Sequence, residues 1–204
     1  MKIYNKLYKF FGAQRWWPAK TKFEVIIGAI FTQNTTWQNV EKAIANLKKN
    51  NLLSYKKLLN LSNKRLASLI TSCGYYNIKA KRLKNFLKYI EKKGGLNKFF
   101  SKEPHILREE LLSINGVGQE TADSILLYVA ELPFFVVDAY TRRILIRHKL
   151  IKEEANYEAI QKVFMDNLKP NVKLFNEYHA LLVKLGKEYC KKKPDCHNCP
   201  LKGI

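Results

Sequence analysis

Gly116-Val117-Gly118 places the tightest constraint on what this chain can fold into. It separates two helical patterns, Ile106 to Leu112 before it and Ala122 to Ala130 after it. Two glycines allow a tight turn at dihedral angles that other residues avoid, and no Cβ keeps a second backbone away. A helix that starts directly after such a turn presents unpaired N–H groups and its positive end to whatever docks there. A phosphate is a fitting ligand. Downstream, the apolar run Phe134-Phe135-Val136-Val137 closes on an isolated carboxylate, Asp138.

The rest of the pattern is helical. Phe23 to Phe31 is mostly apolar and reads as a buried helix, and Trp37, Val40, Ala43, Ile44 and Leu47 follow the spacing of an amphipathic one. Leu66, Leu69 and Ile70 begin a short helix that Cys73-Gly74 ends. Leu83, Phe86, Leu87 and Ile90 mark a longer helix stopped by Gly94-Gly95, whose opposite face carries Lys79, Lys81, Arg82, Lys84 and Lys88. Pro133 breaks the chain, and Phe134 to Val137 reads as a short extended lead-in, because a sheet strand there would lack partners. Tyr157 to Leu168 and Val172 to Lys187 complete an all-α chain of about ten helices.

The charge balance points outward. With 37 Lys plus Arg against 17 Asp plus Glu, the formal charge is +20. A polyanion is the usual partner of such a surface, since neutralising phosphates releases counterions; a generally Lys-rich composition is the other reading. No apolar run reaches the roughly 20 residues that span a bilayer. The segment Met1 to Lys6 carries no signal-peptide core, so no membrane is expected and a cytoplasmic, nucleoid-associated location is. Three of the four cysteines, Cys190, Cys196 and Cys199, fall in the last fifteen residues. In a reducing compartment that clustering points to metal ligation rather than to disulfides.

Gly116-Val117-Gly118 with Asp138 downstream resembles the helix-hairpin-helix Gly/Pro-Asp element of the endonuclease III superfamily of DNA glycosylases. Trp16-Trp17-Pro18, Thr32-Gln33-Asn34-Thr35 and Gly118-Gln119-Glu120-Thr121-Ala122-Asp123-Ser124-Ile125 are similar to strings of its 3-methyladenine DNA glycosylase branch. The resemblance implies two helical lobes, one over residues 22–132 and one over 1–21 plus 133–204, with double-stranded DNA crossing between them. It implies a monomer that extrudes a damaged base and cuts its glycosidic bond. Gly116, Val117, Gly118, Gln119 and Thr121 would then hold the DNA, with Asn34 also in contact with it and Gln33 at the space that the extruded nucleotide leaves.

Asp138 falls at the family's catalytic aspartate. Breaking an N-glycosidic bond builds positive charge on the sugar, and a fixed carboxylate stabilises it and orients water. Helix capping is the plainer role for an Asp before Ala139, and the two are compatible. Bifunctional members carry a Lys at the position of Glu120, which attacks the sugar through its amine. A carboxylate forms no imine, so a monofunctional enzyme that leaves an abasic site is expected. Glu120 itself reads either as a first-turn helix residue or as a contact to the base.

Trp16, Trp17 and Pro18, with Trp37, match the residues that line the base pocket in that branch. An extruded base is read by stacking, and a cationic alkylated purine suits indoles; an aromatic plug between lobes is the alternative. N3-alkylated adenine is therefore the favoured substrate. A uracil/thymine mismatch or oxidised-base glycosylase and a non-catalytic damage sensor remain open. The tail spacing C-x5-C-x2-C is similar to the [4Fe-4S] loop of endonuclease III-like enzymes, which needs four thiolates. The fourth would fall one residue past Ile204, and a zinc knuckle with His197 is the other metal reading.

Overall fold

The structure is a computed structural model that describes residues 1–17 and 19–204. In chain order the helices are α1 (Lys2–Phe11), α2 (Lys22–Phe31), α3 (Trp37–Lys49), α4 (Tyr55–Asn60), α5 (Asn63–Leu69) and α6 (Tyr76–Lys92). They continue with α7 (Leu96–Phe100), α8 (Pro104–Ser113), α9 (Gln119–Tyr128), α10 (Ala139–Arg147), α11 (Tyr157–Met165) and α12 (Val172–Glu188). No strand occurs among the described residues, so the chain is all-α. Three helices exceed what periodicity suggested: α1, α4 and α7 are short or sparsely apolar, and each buries one residue, Leu7, Leu58 and Phe99.

Two compact units make up the chain. The first is Ala19–Ala130, and the second joins Met1–Pro18 to Glu131–Ile204. In Ala19–Ala130, α2 lies at the centre of the core with Ile26, Ile27, Ile30 and Phe31 almost wholly buried. Its apolar stretch contains one carboxylate, Glu24, which is buried. Partners at the start of the helix and one lysine satisfy it. Thr21 Oγ1 accepts from Glu24 N at 3.2 Å, Glu24 Oε2 accepts from Lys20 N at 3.3 Å, and Lys48 pairs with Glu24 Oε1.

Helix α6 corrects the expected basic face. Lys81 and Lys88 are exposed, but Lys79 and Lys84 are buried. Lys84 Nζ donates to the carbonyls of Leu58 (3.0 Å), Leu59 and Leu61 (2.7 Å), satisfying acceptors at the C-terminal end of α4. Lys79 Nζ donates to Cys73 O at the end of a 3-10 turn, Thr71–Cys73. Burial pushes both ammonium pKa values down.

The second unit packs α10 against α12 and α1 against α12. Phe135, from the extended stretch before α10, stacks on Phe164 with ring centres 3.7 Å apart and meets Phe175 and Tyr178 edge-on. Hence Phe134 to Val137 is buried without being a strand: its side chains fill a helical core. Gly186 lets α12 approach α10, because a Cβ there would land on the Tyr140 ring.

Candidate active site and DNA-gripping hairpin

Of the two hairpin glycines, only Gly116 is demanded by the backbone and its packing. Helix α8 ends at Ser113, and Val117 N donates to Ile114 O at 2.9 Å to close the turn. Gly116 sits at φ 100, where a side chain would be strained, and a Cβ there would strike the aliphatic stem of Arg82. Gly118 is the extended N-cap of α9, and Val117 is buried beneath the turn. Gln119, Glu120 and Thr121 form the first turn of α9, at its positive end. Glu120 is exposed, Gln119 half-buried, and Thr121 buried.

Gln33 lies against this hairpin. Its Nε2 donates to Gly116 O at 3.1 Å and to Thr121 Oγ1 at 3.0 Å, and its Oε1 accepts from Arg82 Nη1. Asn34, next to it, is exposed at φ 54. The structure thus joins four residues from distant points of the sequence: Gln33, Arg82, Gly116 and Thr121.

Asp138 caps α10. Its backbone is extended, and Oδ1 accepts from Thr141 N at 2.7 Å. Oδ2 faces His179 of α12, whose Nε2 is 3.8 Å away. The Asp138 side chain keeps 12% of its exposure. It is therefore held at one oxygen and not sealed into the core. Burial pushes the His179 pKa down against the upward pull of the Asp138 charge, so the neighbouring ring favours its neutral form. A neutral neighbour leaves the carboxylate charge uncompensated from that side.

The aromatic candidates divide between the units. Trp16 and Trp17 are half-buried, with ring centres 5.6 Å apart and planes inclined at 54°. Lys187 Nζ sits 5.5 Å from the centre of the Trp16 ring, so this indole face already accommodates a cation. Their segment is tied to α12 by Gln14 N, which donates to Glu177 Oε1 at 2.6 Å. Pro18 lies outside the described residues. Trp37 is the first residue of α3 and is half-buried.

In the tail, Cys190 is buried, Cys196 exposed and Cys199 half-buried. Arg147 Nη1 lies 3.2 Å from Cys190 Sγ, and Arg143 Nε donates to Cys190 O at 2.7 Å. Burial pushes the Cys199 thiol up, and Cys190, Cys196 and Asp195 push it the same way. Among the described residues no group of three or more His, Cys, Asp or Glu side chains is arranged to hold a metal ion. The three soft donors suit iron in kind, but as arranged they do not form a closed ligand set for a four-iron cluster.

Arg82, Arg108, Asp123 and His179 were not legible as site residues. Each becomes significant only through a partner far away in the sequence, and no spacing announces such a partner.

A helix-hairpin-helix followed by an aspartate-capped helix defines a class of DNA repair enzymes. Residues 27–170 match the model of the HhH-GPD superfamily base excision DNA repair proteins, and the chain belongs to that superfamily. It is a DNA N-glycosylase of base excision repair, with DNA as its partner. A protein of Methanocaldococcus jannaschii, provisionally named a DNA repair glycosylase, is 51% identical over 98% of this chain and 93% of its own length. The H. pylori 3-methyladenine DNA glycosylase bound to 1,N6-ethenoadenine is 29% identical, with a TM-score of 0.78 over 92% of this chain and 96% of that one. A non-covalent endonuclease III–DNA complex has a TM-score of 0.84 over 98% of this chain and 90% of that one, at 21% identity, a likeness of fold.

Proposed function

We propose that this chain is a monofunctional glycosylase that removes an alkylated purine, 3-methyladenine in the first instance, from duplex DNA, acting as a monomer. Asp138 carries the reading. One of its oxygens is fixed by the helix it caps and the other stays available, beside a ring that favours the neutral form. Such a carboxylate stabilises the developing sugar cation and steers water to it. Glu120, at the position where bifunctional enzymes hold an amine, has no nucleophilic nitrogen. Lys and Arg side chains draw the DNA in, and Gly116, Val117, Gly118, Gln119 and Thr121 grip one strand. Asn34 adds a DNA contact and Gln33 fills the space of the extruded nucleotide, while Trp16, Trp17, Pro18 and Trp37 would hold the base. Likeness to the H. pylori enzyme and the electron-rich indoles of Trp16 and Trp17 support the alkylated substrate.

In the cysteine tail, Cys190, Cys196 and Cys199 would hold a [4Fe-4S] cluster only together with a fourth ligand and after rearrangement, a reading supported by the C-x5-C-x2-C spacing and by resemblance to endonuclease III. Base release assisted by Asp138 draws on no group in that tail. Iron content and absorbance near about 400 nm of anaerobically purified protein test the cluster directly.

The deciding experiment offers duplexes with 3-methyladenine, a uracil or thymine mismatch, or an oxidised pyrimidine to the wild type and to Asp138→Asn. Release of 3-methyladenine by the wild type alone, with the abasic strand left uncut, is expected. Full activity in Asp138→Asn removes the catalytic assignment. Release confined to another lesion removes the substrate, and borohydride trapping of a covalent complex removes the monofunctional mechanism.

A further inference from the structure

Arg82 turns its guanidinium inward at the hairpin. Its stem lies where a Cβ of Gly116 would be, so the glycine is needed as much for this packing as for its φ of 100. Its Nη1 donates to Gln33 Oε1, while Gln33 Nε2 donates to Gly116 O and Thr121 Oγ1. Each half of the Gln33 amide is thereby committed. An acceptor-only carbonyl at Nε2 and a donor at Oε1 both select the same flip of an amide. Arg82 supplies that donor.

We infer that Arg82 is a positioning residue for DNA binding, which acts through Gln33 and Gly116 rather than on a phosphate. The stem presses the turn from one side, and the oriented Gln33 amide buttresses the Gly116 carbonyl and the first turn of α9 from the other. Main-chain N–H groups grip a phosphate well only if they converge before the DNA arrives, because ordering a loop on binding lowers affinity. The brace spares that cost. It rests on the reading of the hairpin as the DNA grip, and it is independent of which base is removed.

The test is a double-mutant cycle on binding to undamaged duplex, read by fluorescence anisotropy over a range of salt concentrations. Arg82→Met and Gln33→Met should each weaken binding about tenfold, and the double variant should be no weaker than the worse single one. The slope of log affinity against log salt should be unchanged in all three, because no phosphate contact is lost. Lys81→Met, from the exposed face of the same helix, supplies the contrast, with a slope reduced by about one. Arg82→Lys keeps the stem and a donor, and should restore most of the affinity. In 15N spectra the Gln33 side-chain amide should lose its distinct shift in Arg82→Met, which shows the brace broken in a protein that is still folded.

Additive losses with a reduced slope for Arg82→Met would make Arg82 a direct phosphate contact and overturn the inference. Unchanged affinity in both single variants would overturn it too. Because undamaged DNA is the ligand, a failed lesion panel leaves this result standing, and a failed cycle leaves the glycosylase reading standing.

Discussion

Arg108 and Asp123 form a two-point ion pair across the hairpin, Nε to Oδ1 at 2.7 Å and Nη2 to Oδ2 at 3.1 Å. Asp123 has no exposed side-chain surface, whereas Arg108 keeps 19%. The pair joins α8 to α9, the two helices that the Gly116–Gly118 turn connects. Removing the arginine strands a buried carboxylate, so Arg108→Met should lose about 3–5 kcal/mol in a denaturant titration. Arg108→Met with Asp123→Leu should regain most of that loss, since no charge is then left unpaired. A loss below about 1 kcal/mol in the single variant would mean that water reaches Asp123.

Asp138 serves as cap and proposed catalyst at once, and two substitutions separate those roles. Asparagine keeps an acceptor for Thr141 N, so Asp138→Asn should fold with a stability within about 0.5 kcal/mol of the wild type. Alanine removes the acceptor, and Asp138→Ala should cost about 1 kcal/mol. Both should lose base release. Equal stability of the two variants would show that the cap contributes nothing.

Lys84 makes a parallel point about the basic surface. Its ammonium is spent on three carbonyls at the C-terminal end of α4, so Lys84→Met should destabilise the fold by about 1–3 kcal/mol. The salt dependence of DNA binding should stay as it was, because this charge never meets a phosphate. A reduced salt slope at unchanged stability would return Lys84 to the DNA-facing surface.

Local signals made the main features of this chain legible. Gly116 announces a turn because few residues tolerate its positive φ, and Asp138 announces a helix start because a short acceptor there satisfies a free N–H. Partnership was not legible. A lysine on α6 reads the same whether its ammonium meets water, as in Lys81, or the end of another helix, as in Lys84. Gln33 reads as a polar residue after an apolar helix, and only folding brings Arg82, Gly116 and Thr121 around it. Helix α7 was missed for a related reason: Phe99 is its one buried anchor, too few for a periodic pattern.

His179 gives stability a pH dependence whose sign is fixed by burial. Its pKa in the folded chain lies below the ordinary 6.5, because desolvation outweighs the attraction of Asp138. Once unfolded, the imidazole titrates near about 6.5. Between those two values the unfolded chain binds a proton that the folded chain refuses, so stability falls as pH drops through that window. The limiting slope is about 1.4 kcal/mol per pH unit for one group. Above the window both states hold a neutral ring, and the contribution is constant. His179→Gln has no proton to take up in either state, so its deficit relative to the wild type should shrink as pH falls from about 7.5 to 5.5. Urea titrations of both proteins across that range measure the difference directly and cancel the carboxylates they share. A deficit that stays constant with pH would mean that the imidazole titrates in the fold as it does in water, which its burial beside Asp138 contradicts.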